Sequence, residues 1–244
     1  MTILHVESLT VHFEKQPALW DINFSIDKGS ITAVVGPNGA GKSTLIKACM
    51  GLVPLVNGQI RFFKKKLPKV RARVSYVPQK ESVDWDFPIT VLEVVMMGCY
   101  GRLGLFRRPN ALDKKEAYEL LERLQMGDFT SKSIQELSGG QQQRVFIARA
   151  LMQKADLYLM DEPFAGIDKT TEELIVAILK DLKRSGKSVV IVHHDLATLE
   201  SYFDHILLIN KRLVAFGTTA EVLKGGNIRM AFGSQPKIFE RIVV

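Results

Sequence analysis

Ile31-Thr32-Ala33-Val34-Val35-Gly36-Pro37-Asn38-Gly39-Ala40-Gly41-Lys42-Ser43-Thr44 decides how this chain is read. A short apolar run of the kind that fills a buried strand leads straight into a glycine loop, and residues 43–50 beyond it have helical character. The loop matches G-x-x-x-x-G-K-[ST] in the strand–loop–helix setting that gives the pattern its meaning. Its glycines let successive backbone N–H groups turn inward on phosphate oxygens. The helix start adds partial positive charge. Gly36, Pro37, Asn38, Gly39, Ala40 and Gly41 then form a cradle for ATP. Lys42 neutralises the β- and γ-phosphates, Ser43 offers its hydroxyl to Mg²⁺, and Thr44 supports the α-phosphate. An α/β fold is expected.

Two further segments belong to the same chemistry. Residues 157–160 are apolar and end in Asp161-Glu162. A buried strand can hold carboxylates fixed at its C-terminal end beside a phosphate loop. Asp161 is expected to hold Mg²⁺ through a water, and Glu162 to act as general base on the attacking water. Alone this signal is weak; with residues 36–43 upstream it becomes strong. Between the two lies Leu137-Ser138-Gly139-Gly140-Gln141. Ser138 caps a helix, and Gly139 and Gly140 leave its first backbone N–H groups bare for a γ-phosphate. A capped helix explains Ser138 but not two glycines in a first turn, where they cost stability. One nucleotide does not need two phosphate-binding helix ends from one chain. Two copies arranged head to tail each lend the second site to the other's nucleotide.

The bulk properties exclude several classes. The 244 residues are 46% apolar and 24% charged, an ordinary globular balance. No stretch approaches the roughly 18 apolar residues of a membrane span, and 48–60 is broken by Gly51, Pro54, Asn57 and Gly58. Residues 1–9 carry His5 and Glu7 and alternate like a strand, unlike a signal peptide. A cytoplasmic chain is expected. The formal charge of +7 gathers at 61–73 and 102–108. No aromatic-rich basic groove accompanies these runs, so they read as a solvated face or as closeness to anionic lipid, and no nucleic-acid partner is expected. Cys49 and Cys99 lack CxxC spacing, which indicates neither a disulfide framework nor a metal site.

Strands are expected at 4–11, 22–26, 73–77, 157–160, 188–192 and 206–209. Helices are expected at 90–97, 113–125 (Leu112, Leu120, Leu121 and Leu124 on one side), from Ser138 to about 153, and at 169–184. This order predicts a single domain over 1–244. Its α/β core comprises 1–79 and 156–224, a helical subdomain occupies about 80–155, and a tail follows at 225–244.

The pentapeptide at 137–141 is the signature of ATP-binding cassettes, and with 36–43 and 157–162 the chain resembles that family along nearly its whole length. The resemblance implies a P-loop NTPase core, RecA-like with an N-terminal antiparallel β subdomain, and an inserted helical subdomain. It also assigns roles. Gln79 touches Mg²⁺ and the attacking water and signals to a membrane subunit. His194 of His193-His194-Asp195 is the switch histidine on the γ-phosphate. Neighbours on a strand point to opposite faces, so the histidine pair is not read as a metal site. Ala165-Gly166-Ile167-Asp168 departs from the family's usual SALD but keeps Asp168 as a subunit contact, and Phe13 stacks on adenine.

Residues 84–91, 97–101, 107–109 and 161–168 resemble the bacterial manganese/zinc/iron importers. That likeness implies an ATPase subunit lying peripherally on the cytoplasmic face of the plasma membrane. It would dock on separate integral membrane permease subunits through Gln79, Trp85 and Phe87. An extracytoplasmic metal-binding protein would select the ion. Other readings are an importer for another substrate, or a soluble cassette ATPase acting as a scaffold, as in iron–sulfur cluster delivery. A nucleotide kinase leaves 137–141 unexplained.

Overall fold

The computed structural model describes residues 1–13, 16–83, 87–104, 107–224 and 226–233, with the backbone alone at 13 and 81. The first elements are β1 (Thr2–Phe13), β2 (Gln16–Asp27), β3 (Ile31–Val35), α1 (Lys42–Cys49), β4 (Asn57–Phe62) and β5 (Val74–Val77). Next come α2 (Val91–Met96), α3 (Tyr100–Leu103), α4 (Ala111–Arg123) and α5 (Gly139–Met152). The chain continues through β6 (Leu157–Met160), α6 (Lys169–Arg184), β7 (Ser188–Val192), α7 (Leu199–Tyr202), β8 (His205–Asn210), β9 (Arg212–Thr218), α8 (Thr219–Leu223) and α9 (Asn227–Phe232).

Six strands form one sheet in the order β5-β6-β7-β3-β8-β9, parallel except for the last pair, and β2-β1-β4 form a separate antiparallel sheet. The central strands read as unbroken apolar runs because both faces of their sheet are buried. Along β3, Ile31, Ala33 and Val35 join Tyr158, Met160, Val189 and Ile191 in one core. Val34 joins Leu157, Leu159, Val190 and Val192 in the other. The first core is completed by α2, α4, α5 and α6, the second by α1 and the antiparallel sheet. A consequence of the parallel register is that β3, β5, β6 and β7 all end at one edge, where open α/β sheets hold their ligands.

The fold class and the principal elements match the reading of the sequence. β4 and β9 were not foreseen: Asn-Gly-Gln-Ile-Arg-Phe is polar on alternate positions at a sheet edge, and β9 is half-buried along most of its length. The apolar side of α4 also needs correction. Leu112 is 76% exposed, while Ala117 and Leu121 are buried in the core along with Leu124. Asn110 caps α4 through the N–H groups of Leu112 and Asp113, so Leu112 sits in the first turn, where it is exposed. Val91, Leu121 and Val145 share one core with Ile31 and Val35, so the helical stretch and the sheet are packed together. Cys49 and Cys99 are free and buried.

Candidate active site

The glycine loop follows β3, and its shape leaves no freedom at two positions. A Cβ on Gly36 would lie 2.0 Å from the Ile209 carbonyl oxygen. Gly41 has φ +94°, and a Cβ there would meet Leu19 Cδ2 at 2.5 Å. α1 begins with no side-chain cap and no acidic residue in its first turn. Its leading N–H groups thus have no internal partner. They border a cavity of about 460 Å³ lined by Ala18, residues 38–44 and Glu162. Lys42 folds back over the loop, donating from Nζ to the Gly36 and Pro37 carbonyls at 2.9 and 3.0 Å. Burial pulls its pKa below the ordinary lysine value, against the opposing pull of Glu162 and Asp161.

Asp161 leaves β6 fully buried. Ser43 Oγ donates to its Oδ1 at 2.9 Å, and Oδ2 is buried without a hydrogen-bond partner. Burial pushes this carboxyl above the usual carboxylate range, although the Ser43 hydrogen bond works the other way. The Ser43 hydroxyl and the orphaned Oδ2 are oxygen donors of the kind a hard divalent cation takes. Glu162 comes next at φ +52°, a left-handed conformation that costs a non-glycine residue about 1–2 kcal/mol. Buried Phe164 anchors the turn that follows.

β7 delivers the histidine pair just beyond its end, with the ring centroids 5.9 Å apart. His194 is exposed and His193 is buried, at 3% exposure. His193 Nε2 is 2.8 Å from Thr198 Oγ1, and its ring meets Phe164 edge-on at 5.5 Å. Burial, chiefly, lowers its pKa to about 4. An imidazole whose folded pKa lies below its unfolded value of about 6.5 stabilises the fold above pH 6.5, and that contribution is lost as pH falls toward 4. Roughly 2 kcal/mol of stability should disappear over this window through His193. Urea unfolding at pH 7 and pH 4.5 checks this: His193→Gln should show a smaller acid loss than the wild type, and an equal loss excludes the histidine as its source.

Gln79 follows β5, half-buried, and its carbonyl accepts from Ser82 N and, at 2.7 Å, from Ser82 Oγ. Ser138 and Gln141 form a reciprocal capping box at the start of α5. A Cβ on Gly139 would fall 2.2 Å from Lys80 Nζ, whereas one on Gly140 would meet only Ile167 Cγ2 at 3.6 Å, an ordinary contact. Gly140 therefore has no steric need to be glycine among the described neighbours. No residue of 137–141 is among the described lining of the 460 Å³ cavity. Asp168 caps α6, accepting from Thr171 N at 2.8 Å and Thr171 Oγ1 at 3.0 Å, which holds its carboxyl below the usual range.

The Phe13 side chain and Trp85 lie outside the described residues. Phe87 is 63% exposed, shortly before the Thr90 capping box that opens α2. Sequence reasoning missed Ala18 and the packing role of His193. An alanine in an edge strand carries no signal, whereas the doubled histidine was visible but pointed only to the choice of His194. Among the described residues, no cluster of His, Cys, Asp and Glu is arranged to hold a metal ion, and no helix is long and apolar enough to cross a membrane.

A family model described as ABC transporter matches residues 19–165. The zinc transport system ATP-binding protein TroB of Treponema pallidum is 51% identical over 95% of this chain and 87% of its own length. The manganese transport system ATP-binding protein MntB of Bacillus subtilis is 49% identical over 95% and 93%. Among solved structures, an ATP-binding subunit of an ABC transporter aligns with TM-score 0.82 at 26% identity, covering 100% of both chains. A dimeric ATP-binding cassette in a post-hydrolysis state with ADP and Pi aligns with TM-score 0.79 at 26% identity, covering 88% of this chain and 98% of that one.

Proposed function

Because the chain belongs to the ABC transporter family, we propose that it is the ATP-hydrolysing subunit of an importer for a transition metal ion, manganese, zinc or iron. The observation that carries the ATPase reading is the convergence of Lys42, Ser43, Asp161 and Glu162 on the glycine loop and its cavity. Backbone N–H groups of 39–44 bind the phosphates, with Asn38 and Ala18 on the wall. Lys42 releases the two carbonyls it holds and turns to the γ-phosphate. Ser43 and Asp161 would hold Mg²⁺. When bound, that ion neutralises charge on the β- and γ-phosphates. Glu162 orients and deprotonates the attacking water, while His194 and Gln79 contact the γ-phosphate and the water from neighbouring strand ends.

ABC ATPase units work as dimers with membrane permease subunits. We assign the second half of each nucleotide site to Ser138, Gly139, Gly140 and Gln141 of the other copy, arranged head to tail. The absence of 137–141 from the described lining of the 460 Å³ cavity supports this. Asp168 sits beside that interface, and its capping bond to Thr171 is compatible with a contact role. The chain lies peripherally on the cytoplasmic face of a plasma membrane. Phe87, exposed and a few residues beyond Gln79 in the chain, belongs to the permease contact. The helical subdomain at about 80–155 and the α/β core of 1–79 and 156–224 are the two parts that move against each other.

The substrate class rests on the two transport-system relatives. The test is uptake of radiolabelled manganese, zinc and iron by membrane vesicles that carry the partner permease with or without this chain. ATP-driven uptake of one of these ions is expected only with the chain present. Uptake of none of the three by an assembled, ATP-hydrolysing complex would remove the metal assignment.

A further inference from the structure

We infer that His193 is a positioning residue that locks the turn carrying Glu162 to the turn carrying His194, an inference that rests on the ATPase reading above. Three observations join here. First, His193 adjoins His194 in the chain while its ring touches the turn that carries Glu162. The ring meets Phe164, two residues from Glu162, edge-on at 5.5 Å, and it packs on Phe203 at 5.0 Å. Phe164 also packs on Tyr202 at 6.2 Å. Second, the backbone of Glu162 is left-handed without being glycine, and such a residue persists only where its surroundings over-determine it. Phe164, two residues on, is the buried anchor of that turn.

Third, Thr198 Oγ1 donates to the Asp195 carbonyl at 3.2 Å, which leaves the same oxygen to accept from His193 Nε2 at 2.8 Å. With the hydroxyl hydrogen of Thr198 given to Asp195, the imidazole proton is the one on Nε2. It also closes a loop from residue 193 through 198 to 195, with His194 inside it. The His193 N–H bonds to the Val34 carbonyl at 3.0 Å, tying the loop to the strand that feeds the phosphate cradle. An aliphatic side chain would fill the space but supply no bond to Thr198. A serine or threonine would bond but not reach Phe164.

The decisive experiment is steady-state Mg-ATP hydrolysis by the full chain carrying His193→Ala, His193→Gln, Thr198→Val or His193→Ala with Thr198→Val, each normalised to folded protein. Misplacing reacting groups by about 1 Å costs up to about 100-fold in rate. His193→Ala is expected to lower kcat about 10- to 100-fold with KM for ATP within about threefold, because nucleotide binding stays with the glycine loop. His193→Gln, whose amide can still donate to Thr198, should recover part of the rate. Thr198→Val alone should lower kcat, and the double variant should be no slower than His193→Ala. Unchanged kcat in Thr198→Val and His193→Ala, or a purely additive double variant, overturns the inference. Should His193→Ala fail to fold, Thr198→Val and His193→Gln decide it by the same kcat criterion. A wild-type chain that binds but never hydrolyses ATP would remove the ATPase reading itself, a result distinct from any difference among the variants.

Discussion

Glu162→Gln is expected to bind ATP as the wild type does and to hydrolyse it about 10²- to 10⁴-fold more slowly, the range a positioned general base supplies. Glutamine keeps the volume, the half-buried position and one oxygen, so the left-handed turn at φ +52° and its Phe164 anchor are undisturbed. Only the capacity to take a proton is lost. In the proposed head-to-tail arrangement the uncleaved γ-phosphate would continue to bridge residues 36–43 of one copy and 138–141 of the other. Two chains should therefore stay closed on two nucleotides. Light scattering in Mg-ATP should find twice the monomer mass for Glu162→Gln and a smaller fraction of it for the wild type. A variant that turns over at the wild-type rate defeats the assigned base, and one that stays monomeric with ATP bound defeats the shared site.

Lys42→Ala should weaken ATP binding by one to two orders of magnitude, since hydrogen bonds to charged groups contribute about 1.5–3 kcal/mol. Hydrolysis should fall below detection, because preorganised charge carries most of phosphoryl transfer. The fold itself should tolerate the change. Lys42 is a buried cation whose pKa burial has lowered, and its two hydrogen bonds run to carbonyls of its own loop. Losing it removes a desolvation cost as well as two bonds. Melting curves without nucleotide should therefore stay close to wild type, while the rise in melting temperature that ATP gives the wild type should vanish. Unaltered affinity by calorimetry would contradict the role given to Lys42.

What could be read before any coordinates divides along physical lines. Residues 31–44 were legible because strand, loop and helix are contiguous, and the chemistry demands glycine, lysine and serine at set spacing. Gly36 bears this out sterically: the Ile209 carbonyl leaves no room for a Cβ. β6 and β7 were legible because a strand buried on both faces must be apolar throughout. β4 and β9 lie at edges, where exposure blurs the alternation that would mark them. The contact of Ser43 with Asp161 spans 118 residues and crosses the end of β7, which only the strand order 6-7-3 explains. Asp168 shows the converse, since its role as the cap of α6 is local and was open to a reading that looked only for a partner subunit.

The alternation along β3 has an evolutionary corollary. Ile31, Ala33 and Val35 serve one core and Val34 the other, so the strand is a partition wall whose two sides carry different furniture. Gaining or losing one residue in this strand would exchange the sides and turn the cradle at 36–43 through half a revolution. No intermediate displacement exists, because side chains on a strand come in steps of two. Lineages can therefore alter the volumes of 31–35 in compensated pairs, and they can remodel 63–73, which joins β4 to β5 at an edge. They cannot drift in length between the strand and the phosphate site. The catalytic geometry is thus inherited whole or lost whole, and adaptation to new cargo is pushed outward, to surfaces that never see the nucleotide.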